Sequence, residues 1–203
     1  MSEADVPRHR RPTFPGAGHF DTLIGDEDPA ARSEAADRCA TLLVRGAHDP
    51  DDEAIVERVV RLADNEGLDT LADLWAGAPP DSLAGCLWRL YLVRAWVHGD
   101  PDGAAREFDA GRRHTPVAVV VAGVPEPPGP DEVRSLVDDV LRGVVRGDFA
   151  DTLFRAAAFT RVAAIGRAHL DGEHDSDVAA SRLFTMAEQL ERAGHLELEG
   201  KLA

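Results

Sequence analysis

The sequence predicts an all-α protein, a single bundle of eight or nine helices around two central apolar helices at about 81–98 and 148–170. Apolar side chains recur at helical spacing along most of the chain after residue 28. Residue pairs that typically cap helix starts precede these segments: Asp-Pro at 28–29, 49–50 and 100–101, and Thr-Pro at 115–116. Glycines stand where helices are expected to end: Gly46, Gly67, Gly99, Gly111 and Gly194.

The chain divides into an extended N-terminal arm over 1–27, an all-helical domain over 28–194 and a frayed tail over 195–203. Prolines and glycines interrupt the arm, so no helical period survives in it. The arm nevertheless carries four large apolar side chains, namely Phe14, Phe20, Leu23 and Ile24. Two interpretations stay open. The arm packs on its own domain, which is favoured because chain termini are usually loose, or it clasps a second subunit.

The first three helices are predicted at about 29–45, 50–65 and 70–77, each with apolar residues on one face. The helix at 81–98 is apolar almost all round, and a shorter helix follows at about 101–110. A helix without a polar face normally lies at the centre of its bundle, which is why 81–98 is placed there.

The second half of the chain contains one ambiguous segment, VAVVVAGV at 117–124. Its β-branched residues favour a strand. A short helix is predicted instead, because Thr115-Pro116 can cap it and no other segment of the sequence offers a partner strand. A stiff proline-rich linker at 124–130 follows. The remaining helices are predicted at about 130–145, 148–170 and 176–193, and the second of these is again apolar all round.

The charge balance opposes several classes of partner. The chain has 37 acidic and 22 basic residues, a formal net charge of −15, and an acidic surface repels the phosphates of nucleic acid and anionic lipid. No apolar run reaches the roughly 18 residues of a transmembrane helix, and the charged N-terminus lacks a signal-peptide core. We expect a cytoplasmic protein that binds neither nucleic acid nor membranes.

Catalytic motifs are missing from the sequence. Cys39 and Cys86 are the only cysteines, which is typical of a reduced cytosolic protein, and each lies on an apolar helical face where a thiol is usually inert. There is no GxSxG nucleophile motif, no phosphate-binding P-loop and no dinucleotide-binding GxGxxG. The sequence therefore predicts no catalytic residue and no cofactor.

An acidic segment, DGEHDSD at 171–177, contains the candidate metal ligands. With the preceding histidine, these candidates are His169, Asp171, Glu173 and His174. A calcium loop would need glycine at its sixth position and glutamate at its twelfth, where Ser176 and Arg182 stand. The two histidines are five residues apart and need not converge, so the segment is interpreted as an acidic loop and no metal is predicted.

Arg94 is the most informative single residue. Its helical phase places it within the apolar stripe of helix 81–98, where a guanidinium is costly unless it is paired. We expect a largely buried Arg94 bonded to a carboxylate of another helix or to helix C-terminal carbonyls. The alternative is an anion pocket, in which Tyr91 and His98 of the same helix would join Arg94 as ligand-binding residues.

Two resemblances accompany these patterns. The run YLVRAWVHGDPDGAAREFDAGRRHTP, residues 91–116, resembles one tetratricopeptide unit, although such folds need three or more. The stretches EGLDTLADLWAGAPPDSL, LWRLYLVRAWVHGDP and PEPPGPDEV resemble an uncharacterised all-helical family of small actinobacterial proteins, over residues 50–170. Its members are sometimes labelled as an RNA polymerase beta subunit, but a catalytic polymerase subunit is several times longer. The resemblance assigns no role to any residue.

Two function classes follow from the sequence. The first is a non-enzymatic interaction or adaptor protein, self-associating as a homodimer or bound to a protein partner, which the missing motifs favour. The second is a helical small-ligand binder or enzyme with an inter-helix pocket near Arg94. A deep pocket with convergent polar groups would favour the second class, and a flat apolar patch with a symmetric partner would favour the first.

Overall fold

The computed structural model describes residues 29–46, 68–114, 128–141, 149–170 and 174–203, and all regular secondary structure in these ranges is α-helical. The helices of the described ranges are α1 (Pro29–Arg45), α2 (Leu68–Trp75), α3 (Leu83–Gly99), α4 (Pro101–His114), α5 (Pro130–Leu141), α6 (Phe149–Leu170) and α7 (His174–Leu198). The all-α prediction is confirmed for this part of the chain. The predicted arm over 1–27, the helix at about 50–65 and the segment 117–124 lie outside the described residues.

The start of α4 confirms the predicted Asp-Pro cap. The Asp100 carboxylate accepts a hydrogen bond from the Gly103 N–H at 2.9 Å, and Pro101 occupies the first helical position. An aspartate before a helix satisfies an N–H that has no partner within the helix, and proline has no N–H to lose there. These local interactions are sufficient to begin the helix at residue 101.

The start of α3 combines a local cap with a distant one. The Ser82 Oγ accepts from the Gly85 N–H at 3.1 Å, so the helix begins at Leu83, two residues after the predicted position. The Leu83 N–H, also without a partner inside the helix, donates to the Ala203 carbonyl at 2.7 Å. The last residues of the chain therefore help to close the first turn of α3.

The C-terminal residues differ from the predicted frayed tail at 195–203. Helix α7 continues to Leu198, and the Lys201 N–H then donates to the Leu196 carbonyl at 2.8 Å as the chain turns. After this turn Leu202 packs in the hydrophobic core, where the residue is only 6% exposed. Burial of this leucine, which short-range patterns do not reveal, explains why the segment is ordered against α3.

Of the two helices that the sequence predicts to be apolar almost all round, α6 is buried along most of its length, whereas about half of α3 is buried and most of the rest is half-buried. Helix α3 contacts each of the other six described helices, and α6 contacts α3, α4, α5 and α7. The alanines at 156–158 are fully buried, as expected for positions that let neighbouring helices approach closely. The most extensive packing joins α6 to α7 and to α4.

The α4–α6 contact brings two backbones together. A Cβ built on Gly166 of α6 would lie 1.7 Å from the Glu107 carbonyl oxygen, and one on Gly111 of α4 would lie 1.8 Å from the Val162 carbonyl oxygen. Gly111 lies inside α4, so the prediction that it ends the helix is wrong. The same prediction is wrong for Gly194, which lies inside α7. At Gly111 glycine is needed for the close approach of its neighbour.

Arginines form the ion pairs that join different helices in the described ranges. These pairs are Arg45–Glu197 (α1–α7), Arg94–Asp138 (α3–α5), Arg161–Glu191 (α6–α7) and Arg167–Glu107 (α4–α6). Arg167 binds Glu107 through two parallel hydrogen bonds of 2.9 Å, the geometry that the planar guanidinium favours. The same guanidinium lies over the Trp96 ring, 5.2 Å from its centroid, which links α3 to this pair.

Candidate functional site

Arg94 has the partner that its position in the apolar stripe requires. Its Nε donates to the Asp138 carboxylate on α5, and each of the two side chains is 18% exposed. The sequence predicts a largely buried Arg94 bonded to a carboxylate of another helix or to helix C-terminal carbonyls, and the structure realises the first of these two alternatives. Because Asp138 already neutralises this guanidinium, Arg94 has little remaining attraction for a dissolved anion.

The residues expected to join Arg94 in a ligand site have other surroundings. The Tyr91 hydroxyl donates to the Asp69 carboxylate of α2 at 2.6 Å, and this bond, with burial, raises the pKa of Tyr91 to about 12. His98 is exposed near the end of α3. Tyr91 and Arg94 thus bond to different helices, and neither of the two cavities described below is lined by Arg94, Tyr91 or His98.

Of the candidate metal ligands, the structure describes one side chain, that of His169. Its Nδ1 lies 2.7 Å from the Ile165 carbonyl, and its ring stacks on His114 with centroids 4.1 Å apart. Stacked rings direct their nitrogens side by side instead of towards one point. Asp171, Glu173 and the His174 side chain lie outside the described residues. Within the described ranges, no three His, Cys, Asp or Glu side chains come together as a metal site.

The two thiols are buried and free. Burial raises the pKa of Cys39 to about 11 and, as the largest effect, that of Cys86 to about 12. A thiol with such a pKa stays protonated near neutral pH, and the protonated form is a poor nucleophile. The cysteines therefore serve as packing residues in the hydrophobic core.

A groove between α3 and α7, the α3–α7 groove, is a cavity of about 250 Å³ formed by described residues. Helix α3 contributes Trp88, Arg89 and Leu92, and helix α7 contributes Arg182, Met186 and Gln189. Two hydroxyl side chains of α7 also line it. The groove thus offers an aromatic and aliphatic surface together with two guanidinium groups.

The two arginines of the α3–α7 groove form no ion pair with a carboxylate of the described residues. Arg89 donates to neutral acceptors, through Nε to Gln189 at 2.7 Å and through Nη1 to the Gly85 carbonyl at 2.8 Å. Arg182 is exposed, and no carboxylate among the described residues pairs with it. The lining contains no aspartate or glutamate, although acidic residues outnumber basic ones by 37 to 22 in the whole chain. The groove is a local positive region on an acidic protein.

The second cavity, of about 200 Å³, lies between α1 and the turn that follows α2. Ser33 and Asp37 of α1 and the backbone around Gly77 contribute to it. It is smaller, and its one charged lining residue is an aspartate. The α3–α7 groove is therefore the better candidate for a binding site.

The α3–α7 groove is not predicted by the sequence patterns. Arg89 interrupts an apolar helix, and that interruption is the one local signal of the groove, but Arg94 interrupts the same helix within its apolar stripe and is the stronger candidate by sequence. Arg182 carries no local signal, because an exposed arginine on an amphipathic helix is ordinary. The pairing of Arg89 with Arg182 depends on how α3 meets α7, which helical periodicity alone does not encode.

Comparisons with family models, with curated proteins and with solved structures find no match for the chain. Among the described helices, none combines the length and the apolar character that crossing a bilayer requires. With these comparisons silent, any functional assignment depends on the geometry and charge of the α3–α7 groove.

Proposed function

We propose that this chain is a non-enzymatic interaction protein that binds an acidic segment of a protein partner in the α3–α7 groove. The observation that carries the proposal is the pair of arginines, Arg89 and Arg182, in a groove without acidic residues on a chain of net charge −15. Two guanidiniums in one small groove, Arg89 from α3 and Arg182 from α7, attract carboxylates, and arginine is well suited to bind them with two hydrogen bonds.

The rest of the groove favours a peptide that also carries an apolar side chain. Trp88, Leu92 and Met186 supply the apolar surface. A volume of about 250 Å³ is smaller than the roughly 300–1,000 Å³ of most small-molecule pockets, and it suits one or two side chains of a peptide. Aromatic rings and arginines are also the residues that most often dominate protein–protein binding energy.

The groove provides little for catalysis. Its lining has hydroxyls from Ser181 and Thr185, but no histidine, cysteine, aspartate or glutamate that could act as their base. The alternative function, a small-ligand binder or enzyme with a pocket near Arg94, has less support because Asp138 occupies that guanidinium. An interaction protein requires only the surface that the groove offers.

In the proposed architecture the complete chain is a single bundle of eight or nine helices around α3 and α6, a cytoplasmic member of the actinobacterial family that it resembles. The contacts of α3 with each of the other six described helices support a single bundle. The proposed partners are a second copy of the chain and another protein, and neither nucleic acid nor a membrane is among them. The acidic surface supports these exclusions.

Selection of peptides from a random display library on the purified protein tests the proposed function. Selected peptides should contain Asp or Glu beside an aromatic or aliphatic residue, and their affinity should fall as salt rises. Arg182→Glu should weaken their binding at least about tenfold because attraction becomes repulsion.

The matched control for this selection is Arg106→Glu, on the exposed side of α4, which changes the net charge equally but lies outside the groove. It should leave the affinity of the peptides within about twofold. Selection of basic peptides, or equal losses in the two variants, would show that the groove is not the binding site.

A further inference from the structure

We infer that the α3–α7 groove binds residues 20–28 of a second copy of the chain, so that two copies exchange their N-terminal arms; this inference rests on the proposed function. The segment reads FDTLIGDED. It has three large apolar residues, Phe20, Leu23 and Ile24, four acidic residues and no basic one. This composition matches the ligand that the groove favours, an apolar side chain beside carboxylates.

Few other segments of the chain could take this place. Outside the described residues, 115–127 has a single acidic residue, and 142–148 carries two arginines. Residues 49–57 also combine acidic and apolar residues, but their apolar side chains belong to the amphipathic helix predicted at about 50–65, which has its own face to bury. The apolar residues of 20–28 belong to no predicted helix, so no amphipathic face is predicted for them.

The arm precedes a helix that contacts both helices of the groove. Residue 28 precedes Pro29, the first residue of α1, and α1 packs on α3. At the C-terminal end of α1, Arg45 forms two hydrogen bonds with Glu197 of α7, one of which is 2.6 Å long. A proline disfavours helical geometry at the residue before it, so the arm is expected to leave α1 extended, and nine extended residues span about 30 Å.

Charge and stoichiometry support exchange between two copies. Two copies of the chain, each with a net charge of −15, repel each other, so their association needs a local contact between opposite charges. Each copy has one arm and one groove, and a two-fold dimer makes both arm–groove contacts at once. Once one arm is bound, the second arm–groove contact forms at a high effective concentration, which offsets the weak binding expected of a single small groove.

The mass of the full-length protein in solution tests the exchange, measured by light scattering over a range of concentrations. The full chain should reach twice its monomer mass of 21.8 kDa and should dissociate as salt rises. A variant without residues 1–27 should stay monomeric, and so should Arg182→Glu, with circular dichroism to check that each remains helical. Arg106→Glu should associate as the full chain does.

Mixing two defective variants distinguishes exchange from docking within one chain. The arm-deleted variant has an intact groove, and Arg182→Glu has an intact arm, so the mixture should form a heterodimer held by one contact. A peptide of residues 20–28 should bind the arm-deleted variant at least tenfold more tightly than it binds that variant carrying Arg182→Glu.

Three outcomes would overturn the inference. A full chain that stays at 21.8 kDa at every concentration excludes exchange, even where the groove binds the peptide and docking within one chain takes its place. Association that survives deletion of the arm assigns the dimer to another surface. Display-selected acidic peptides that bind the groove while the 20–28 peptide does not would leave the proposed function standing and reject the arm as the ligand.

Discussion

Gly166 of α6 lies against the carbonyl oxygen of Glu107 on α4, so closely that a Cβ at residue 166 would stand 1.7 Å from that oxygen. The side chain of the same Glu107 binds Arg167, the next residue of α6, through two hydrogen bonds of 2.9 Å. The backbone and side chain of one residue thus hold two helices in a single relative position. The close approach of the two backbones brings Glu107 within reach of Arg167, and the resulting ion pair resists sliding of α4 along α6.

Gly166→Ala should therefore destabilise the protein strongly. The added methyl group meets a backbone carbonyl that cannot rotate away, so the helices must separate, at a cost of about 3 kcal/mol or more. Unfolding in urea, followed by circular dichroism, measures the change. Gly99→Ala is the control, because a Cβ at residue 99 meets nothing within 4 Å and its effect should stay within about 1 kcal/mol. Equal effects of the two substitutions would contradict the backbone contact.

The Arg94–Asp138 pair should contribute measurable coupling between α3 and α5. With 18% exposure at each side chain, the pair lies between a surface pair and a buried one, so Arg94→Met should cost about 1–3 kcal/mol. A double-mutant cycle with Asp138→Asn isolates the pairwise energy. The exposed pair Arg134–Asp131 on α5 serves as the control and should show less than about 0.5 kcal/mol. Equal coupling in the two cycles would show that partial burial adds nothing.

Leu202→Ala should destabilise the protein although it lies next to the last residue. Leu202 is 6% exposed and packs in the core beside α3, and truncation of a buried leucine typically costs about 2–4 kcal/mol. Leu198→Ala removes the same atoms from a side chain that is 62% exposed, so it should cost less than about 0.5 kcal/mol. Thermal or urea unfolding of the two variants measures the difference. If both effects are small, the C-terminal residues are frayed as the sequence predicts.

Buried thiols should make the free energy of unfolding fall at alkaline pH. Burial raises the pKa of Cys39 from 9.0 to about 11 and that of Cys86 to about 12. At pH values below the pKa of the thiols in the unfolded chain, the folded and unfolded states both keep the thiol protons, so the free energy of unfolding does not change with thiol ionisation. Above it the unfolded state releases protons that the folded state keeps, and stability declines until the folded pKa values are reached.

Urea unfolding at several pH values above and below 9 measures this decline. The double variant Cys39→Ala and Cys86→Ala is the control, because it should lose less stability over the same pH interval than the natural chain does. Rates of reaction with a thiol reagent should agree, with labelling slow in the folded protein and fast in urea. Rapid labelling of the folded protein would contradict the buried positions of the thiols.

Local features of the sequence are sufficient to place most of the described helices. The predicted bounds of the first helix, 29–45, coincide with those of α1, and the Asp100–Pro101 cap begins α4 where the sequence places it. Helical spacing and caps depend on residues within one or two turns of each other, so they can be recognised without knowledge of the fold. The uniform apolar character of two segments likewise predicts that α3 and α6 are largely buried.

The partners of individual side chains depend instead on which faces of distant helices meet. Periodicity predicts that Arg94 needs a carboxylate of another helix or helix C-terminal carbonyls, and the packing of α5 on α3 decides that the partner is Asp138. Gly111 is another example. The sequence predicts that it ends a helix, but in the assembled protein it lies inside α4 where the backbone of α6 approaches. The meeting of Arg89 with Arg182 in one groove has no signal at short range. Short-range interactions decide where helices form, whereas burial and charge between helices are properties of the assembled core.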